Sequence, residues 1–464
     1  MELKPRDIEI PIANPFKNDL LKRKVEIENL APILCKIDGP FVFAIDSPWG
    51  TGKTTFIKLW QEYLKAENIS SIYFNAWESD YGDDPLIAII SEIDKWVSLQ
   101  KTVDSSDSAW KKAKTLLPGI AKSSAIATAK LATLGALDFE KEYEKMAAEF
   151  TGGVAENLID SFNKKSVVID EFRKSIKEVL STLGSEQNNL LVFVDELDRC
   201  RPTYAIELLE RIKHLFNIEK LVFVLSTDIE QLSHSICAVY GSEFNARKYL
   251  QRFVDIDYSL KKPNKSDYIL SLFDSLQLNK YFSARDNSRN DRDRLHDCFV
   301  IMAKRFDLSL REINIFLTRI RLILLSIPLD DSLDQALIVS LLFIREYNPI
   351  LYSNYTTDPG IADEVIEYLG TGLSEEDRYE KTFCLISGFL IAPNSGESSE
   401  ERFNELLSFY QKISENGAEG NSKQATAAKR VIRVATHTRG FDDPVDYRSS
   451  IERIELLHRI NLSL

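Results

Sequence analysis

The stretch DSPWGTGKTT, residues 46–55, decides how the rest of this 464-residue chain is read. It ends in Gly52-Lys53-Thr54, the close of a phosphate-binding loop of the pattern G-x-x-x-x-G-K-[ST]. Counting back from Gly52 puts the first glycine of that pattern at position 47, which is Ser47. The chemistry needs backbone N–H groups converging on phosphate oxygens, a lysine that reaches the β- and γ-phosphates, and a hydroxyl for Mg²⁺. Gly50 and Gly52 supply the turn, Lys53 the charge and Thr54 the hydroxyl. Ser47 is compatible with such a loop provided its φ is negative. The alternative is a chance GKT in an ordinary turn.

The flanks argue against chance. FVFAID (41–46) is a short apolar, β-branched run, as expected of a buried parallel strand. KTTFIKLWQEYLKAEN follows with Phe56, Ile57, Trp60 and Leu64 on one helical face, so a helix N-terminus points at the phosphates. Ser47, Pro48, Trp49, Gly50, Thr51, Gly52, Lys53, Thr54 and Thr55 are therefore the expected nucleotide contacts.

Three more strands are expected at SSIYFNAW (70–77), LLVFVDELD (190–198) and LVFVLSTD (221–228). PTYAIELLERIKHLF lies between the last two, with Pro202 suited to a first helical turn. Strand and helix alternate, which predicts an α/β fold: a P-loop NTPase core whose parallel sheet is flanked by helices. Near the start, DLLKRKVEIENL (19–30) reads as a helix capped by Asn18 or Asp19 and ended by Pro32.

The second half of a nucleotide site belongs on another strand end, and LLVFVDELDRC provides it. Asp195, at the strand terminus, would hold Mg²⁺ through water; Glu196 would polarise the attacking water. Thr54 and Asp195 are thus the expected metal ligands. Asp198 is a third carboxylate, placed to share the metal shell or to pair with Arg199. An acidic N-cap cluster is the plainer alternative for all three. Ser226, Thr227 and Asp228 end the fourth strand, either as γ-phosphate sensors or as a helix cap. If that strand lies between the loop strand and the acidic strand, the sheet is that of the glutamate-using P-loop ATPases. Transition-state charge calls for a cation, and Arg199, Arg247, Arg252 and Arg311 are the candidates. Arg199 leads because its spacing from Asp195 is fixed; Arg247 and Arg252 would suit a subunit interface, and Arg311 a lid.

SPWGTGKTT, FNAWESD, VDELDRCRP and FVLSTDIEQLSHSICAVYG together resemble the KAP family of P-loop NTPases. The family pattern of a W-G-x-G-K-[ST] loop, an F-N-x-W strand end and a D-x-x-D-R-C-x-P block falls on Trp49–Thr54, Phe74–Trp77 and Asp195–Pro202. ARKYLQRFVDIDYSLKKP (246–263) is similar to the segment that closes the family core, and the likeness runs over residues 15 to 325. Two departures stand out: Ser47 replaces the usual glycine, and the insertion, which carries transmembrane helices in many members, has a lysine-broken apolar run here at 116–137. The resemblance implies ATP binding and hydrolysis with Mg²⁺, coupled to conformational change or assembly. It also implies, for bacterial members, a place in anti-phage defence.

The implied layout is an N-terminal segment with the P-loop half of the core (1–77), a helical insertion (78–187) and the acidic half (188–262). A helical lid (263–330) and a helical C-terminal module (331–464) follow. Hydrophobic residues make up 44% of the chain and charged ones 28%, as in soluble globular proteins. The net charge of −13 argues against wholesale wrapping of nucleic acid. KQATAAKRVIRVATHTRG (423–440) contains no acid, and Lys423, Lys429, Arg430, Arg433 and Arg439 could bind nucleic acid, an acidic partner or another subunit; a solvated helix face is the plain alternative. The five cysteines lack C-x-x-C spacing, the five histidines lack metal-ligand spacing, and Met1–Asn14 has no apolar core. A cytoplasmic protein with no integral membrane segment is expected, acting as a homo-oligomer or on an effector. Two rivals to a turning-over ATPase are a nucleotide-gated scaffold with little hydrolysis and a DNA motor or clamp.

Overall fold

The computed structural model describes residues 10–11, 13–82, 84–100, 108–117, 120, 154–183, 189–285, 288–331, 333–392, 397–416, 422–439 and 447–459. They fall into two compact units, Ile8–Lys262 and Pro263–Leu464.

The first unit is built on β1 (Phe41–Asp46), β2 (Ser71–Asn75), β3 (Leu190–Asp195), β4 (Leu221–Thr227) and β5 (Ile256–Ser259). All neighbours are parallel, in the order β2-β3-β4-β1-β5. β3 and β4 are buried at every residue, because a strand covered on both faces needs apolar side chains on both. The register aligns the strand ends: Asp46 stands opposite Thr227, Asp195 opposite Ser226, and Asn75 opposite Asp195. Polar side chains are thereby collected along one edge of an apolar sheet, the carboxyl edge where open α/β sheets bind ligands.

Helices α1 (Lys24–Lys36), α2 (Lys53–Ala66), α3 (Ala76–Ser79), α4 (Pro85–Leu99), α5 (Val154–Leu183), α6 (Pro202–Leu215), α7 (Ile229–Tyr240) and α8 (Ala246–Leu250) complete this unit, with a further helical stretch at 108–117. One sheet face, with Val192, Val194 and Phe223, packs on Ile93, Phe172, Leu209 and Leu232 from α4 to α7. The other, with Leu191, Phe193 and Val222, packs on Ile27, Leu34, Phe56 and Trp60 of α1 and α2. Trp60 meets Phe193 edge-on at 5.5 Å. Each such buried side chain contributes roughly 1.5–3 kcal/mol.

Two local expectations are corrected. The first helix spans Lys24–Lys36, not 19–30, and Pro32 lies inside it. Ile27, Ala31, Leu34 and Cys35 bury one face, and that packing outweighs the hydrogen bond that Pro32, lacking an N–H, cannot make. Asp19 still serves the helix start, accepting the Lys24 N–H at 2.9 Å. The fifth strand, β5, was not foreseen: it is a mostly exposed edge with Asp257 inside it, so its pattern is not apolar. Much of the insertion expected at 78–187, including most of the apolar run 116–137, lies outside the described residues.

The described residues of the second unit form helices and one 3₁₀ turn. Leu310–Leu325 opens with a capping box, Ser309 to Glu312, and every residue from Gln335 to Ile344 is buried. No helix among the described residues is long and apolar enough to cross a membrane.

Candidate nucleotide site

The loop between β1 and α2 turns on two glycines in left-handed conformations, Gly50 (φ 74°) and Gly52 (φ 90°). Gly52 is the residue before helix α2, so Lys53 and Thr54 occupy the first helical turn, where unpaired N–H groups point outward. Ser47 does not have a positive φ. Its N–H donates to the Thr227 carbonyl at 3.2 Å, and its hydroxyl to Thr51 Oγ1 at 2.7 Å. Thr51 in turn donates to the Pro48 carbonyl at 2.8 Å. The Lys53 ammonium folds into the loop and donates to the Ser47 and Pro48 carbonyls. Behind the loop, buried Arg23 donates to the Thr51 carbonyl at 3.5 Å, to the Lys261 carbonyl at 2.6 Å and to Glu26 at 2.9 Å.

β3 delivers the acidic block. Asp195, buried, accepts the Glu196 N–H at 3.0 Å and the Tyr73 hydroxyl at 3.2 Å. Glu196 itself adopts a left-handed backbone (φ 61°), a strained conformation for a non-glycine residue. Its carboxylate pairs with Arg199 at 2.8 Å, and the nearby Asn75 side chain also favours its charged form. Arg199 lies over the Trp77 ring, 5.6 Å from its centroid. Asp198 does not pair with Arg199; it accepts the indole N–H of Trp49. Asp228 is the cap of α7, accepting the Gln231 N–H at 3.2 Å. Arg201 closes the block against α3: its backbone N–H and Nε donate to the two oxygens of Asp80 at 2.7 and 2.9 Å.

The electrostatics follow from burial. Burial lowers the Lys53 ammonium below its ordinary range, and the nearby charges of Asp198, Asp228 and Asp195 act against that. Glu196 is raised, again chiefly by burial, with Arg199 pulling it down and Asp195 pushing it up. A carboxylate raised by burial at a strand end is the kind of group that can serve as a general base. Asp198 Oδ1, Ser226 Oγ and Thr227 Oγ1 are buried without hydrogen-bond partners. The two hydroxyls, with the loop N–H groups and the cation, are groups a hydrated Mg-triphosphate would engage, so the residues present fit it.

The structure thus brings Asp195, Asp198 and Asp228 into electrostatic range of Lys53, and Glu196 into range of Asp195, Asp198 and Arg199, with β4 between the two halves. Of the other arginines, Arg247 is exposed on α8 and lines a cavity of about 350 Å³ with Asp46, Pro48 and Asp228. Arg252 stacks on Tyr249, and Arg311 is exposed on a helix of the second unit. Tyr73 and Arg23 lie outside the sequence motifs, whereas Asn75 is the second residue of the F-N-x-W strand end. Asn75 was findable, as the last polar residue of a strand beside the acidic strand; Arg23 carried no signal. The basic stretch is the helix Ser422–Arg439. Three of its five cations are engaged: Lys423 lies 3.8 Å from Glu376, Arg430 donates to the Tyr379 carbonyl and Arg439 covers the Phe403 ring.

A sequence model of the KAP family P-loop domain matches residues 23–326. The phage T7 exclusion protein of Escherichia coli (strain K12) is 22% identical over 235 residues, covering 49% of this chain and 31% of that protein. An uncharacterized protein of Methanocaldococcus jannaschii is 36% identical over 63 residues, 14% of this chain and 31% of that one. The chain spans about a third of the length of these curated relatives. Among solved structures, a DNA replication initiation factor superposes with a TM-score of 0.31 at 11% identity, covering 92% of this chain and 98% of that one. The Aeropyrum pernix ORC2 protein gives 0.29 at 12% identity, covering 90% and 95%. Superpositions at these scores are loose.

Proposed function

The chain belongs to the KAP family of P-loop domains, and from that premise we propose that it binds and hydrolyses Mg-ATP to drive conformational change or assembly. The observation that carries this reading is that Lys53, the first residue of α2, feels the charges of Asp195 and Asp198 at the end of β3, across β4. In it, Lys53 would neutralise phosphate charge, Thr54 would hold Mg²⁺ directly and Asp195 through water, and Glu196 would activate the attacking water. Mg²⁺ would supply electrophilic stabilisation of the γ-phosphate. Residues 78–187 form an insertion in this ATPase, 263–330 a lid and 331–464 a C-terminal module. One relative is named for phage T7 exclusion, and on that likeness we extend the proposal to bacterial anti-phage defence. The test is enzymatic: Lys53→Ala should abolish nucleotide binding, and Glu196→Gln should bind ATP but turn over slowly. Normal steady-state hydrolysis by both variants would sink the assignment.

A second reading has its own support. Glu196 is ion-paired to Arg199, so the base is engaged rather than poised. That suits a nucleotide-gated scaffold, oligomeric or effector-recruiting, with little turnover. Retention of full biological activity by Glu196→Gln would favour it.

A further inference from the structure

Trp49 and Asp198 sit on the two halves of the site, on either side of β4. The Trp49 indole N–H donates to Asp198 Oδ2. The indole ring is otherwise half open to solvent, at 46% exposure, whereas Asp198 is buried and its other oxygen, Oδ1, has no hydrogen-bond partner. Asp198 also exerts the largest attraction on the Lys53 ammonium. A half-exposed indole needs no protein partner, since water serves its N–H. A buried carboxylate does need one, and here its fixed partner is the middle of the phosphate loop. The carboxylate is itself immobilised in the tight turn Leu197–Arg199 that follows β3.

We propose that Asp198 is a positioning residue that latches the phosphate loop through Trp49. The latch holds the amides of Gly50 to Lys53 in their receiving shape before nucleotide arrives. This rests on the nucleotide-binding reading above and adds to it a reason for a tryptophan in the loop and for the second aspartate of the acidic block. Loop ordering that precedes binding is not charged against affinity, so loss of the latch weakens every phosphate ligand alike. The rival role for Asp198, as a charge in the metal shell, is chemically separable. A latch requires an acceptor, and a metal shell requires a negative charge; Asp198→Asn keeps the first and loses the second.

The experiment is binding of mant-ADP to the full chain, with and without Mg²⁺, for wild type, Trp49→Phe, Asp198→Ala, their double variant and Asp198→Asn. Trp49→Phe and Asp198→Ala should each weaken binding about tenfold, as for loss of a hydrogen bond to a charged group. The double variant should be no weaker than either single one, and Asp198→Asn should stay within about twofold of wild type, with Mg²⁺ and without. Additive losses, or Asp198→Asn as weak as Asp198→Ala, overturn the latch. If circular dichroism shows Asp198→Ala unfolded, Trp49→Phe and Asp198→Asn decide alone: wild-type affinity in Trp49→Phe overturns the proposal. A folded wild type that binds no mant-ADP overturns the nucleotide reading, and the latch falls with it.

Discussion

Arg199 and Glu196 face each other at 2.8 Å across one tight turn, so the guanidinium nearest the proposed base holds that base rather than reaching away from it. The two residues differ in what frees them. Glu196 is held by its strained left-handed backbone, whereas Arg199 is steadied by an aromatic face that is itself half exposed.

Removing Arg199 should shift the acid limb of the pH–rate profile upward. Burial already raises Glu196, and Arg199 is the chief influence lowering it. The base acts deprotonated, so activity is lost as pH falls through its pKa, and in Arg199→Ala that loss begins at a higher pH. Profiles of kcat/KM from about pH 5 to 9 check this. An unmoved limb would mean that Glu196 is not the titrating base.

Glu196→Gln should lower kcat by roughly 10²–10⁴-fold, the usual worth of a general base, while leaving ATP affinity near wild type. Lys53→Ala should instead remove binding, because the ammonium is the loop's only side-chain cation. Equilibrium binding and single-turnover hydrolysis on the same preparations separate the two effects.

Ser47→Gly should leave ATP binding within about twofold of wild type. The serine backbone is not in a positive-φ conformation, and its N–H bond to the Thr227 carbonyl survives the change. A large loss of affinity would show that the hydroxyl bond to Thr51 shapes the loop.

Arg201→Ala should destabilise the first unit modestly. Asp80 is nearly buried, at 10% side-chain exposure, and would lose its side-chain partner. Arg201 is over half exposed, so screening limits the cost to about 1 kcal/mol. Urea unfolding should show a lower midpoint at unchanged slope.

Much of this architecture was legible because apolar runs are hard to disguise. β1, β3 and β4 are buried in the sheet and read directly as FVFAID, LLVFVD and LVFVLST. Phe56, Ile57, Trp60 and Leu64 took the face that their spacing predicted. β5 was missed because an edge strand can carry Asp257 at little cost, and so leaves no apolar signature. The end of α1 was misplaced because tertiary burial of Leu34 and Cys35 outweighed a local rule about proline. In the site, Asp195 and Glu196 were readable from a strand ending in acids. The Arg199–Glu196 pair and the Trp49–Asp198 bond were not, since a side chain's choice among nearby partners depends on the turn geometry.

The position of β4 also sets an order of events at the ribosome. β1 and β3 do not touch as sheet neighbours; each finds its place by pairing with β4. A nascent chain that has emerged only to Glu196 therefore carries both the lysine and the glutamate, yet no strand to hold them in register. The proposed site can come into being only after Thr227 has left the exit tunnel, so every shorter product of interrupted synthesis lacks it.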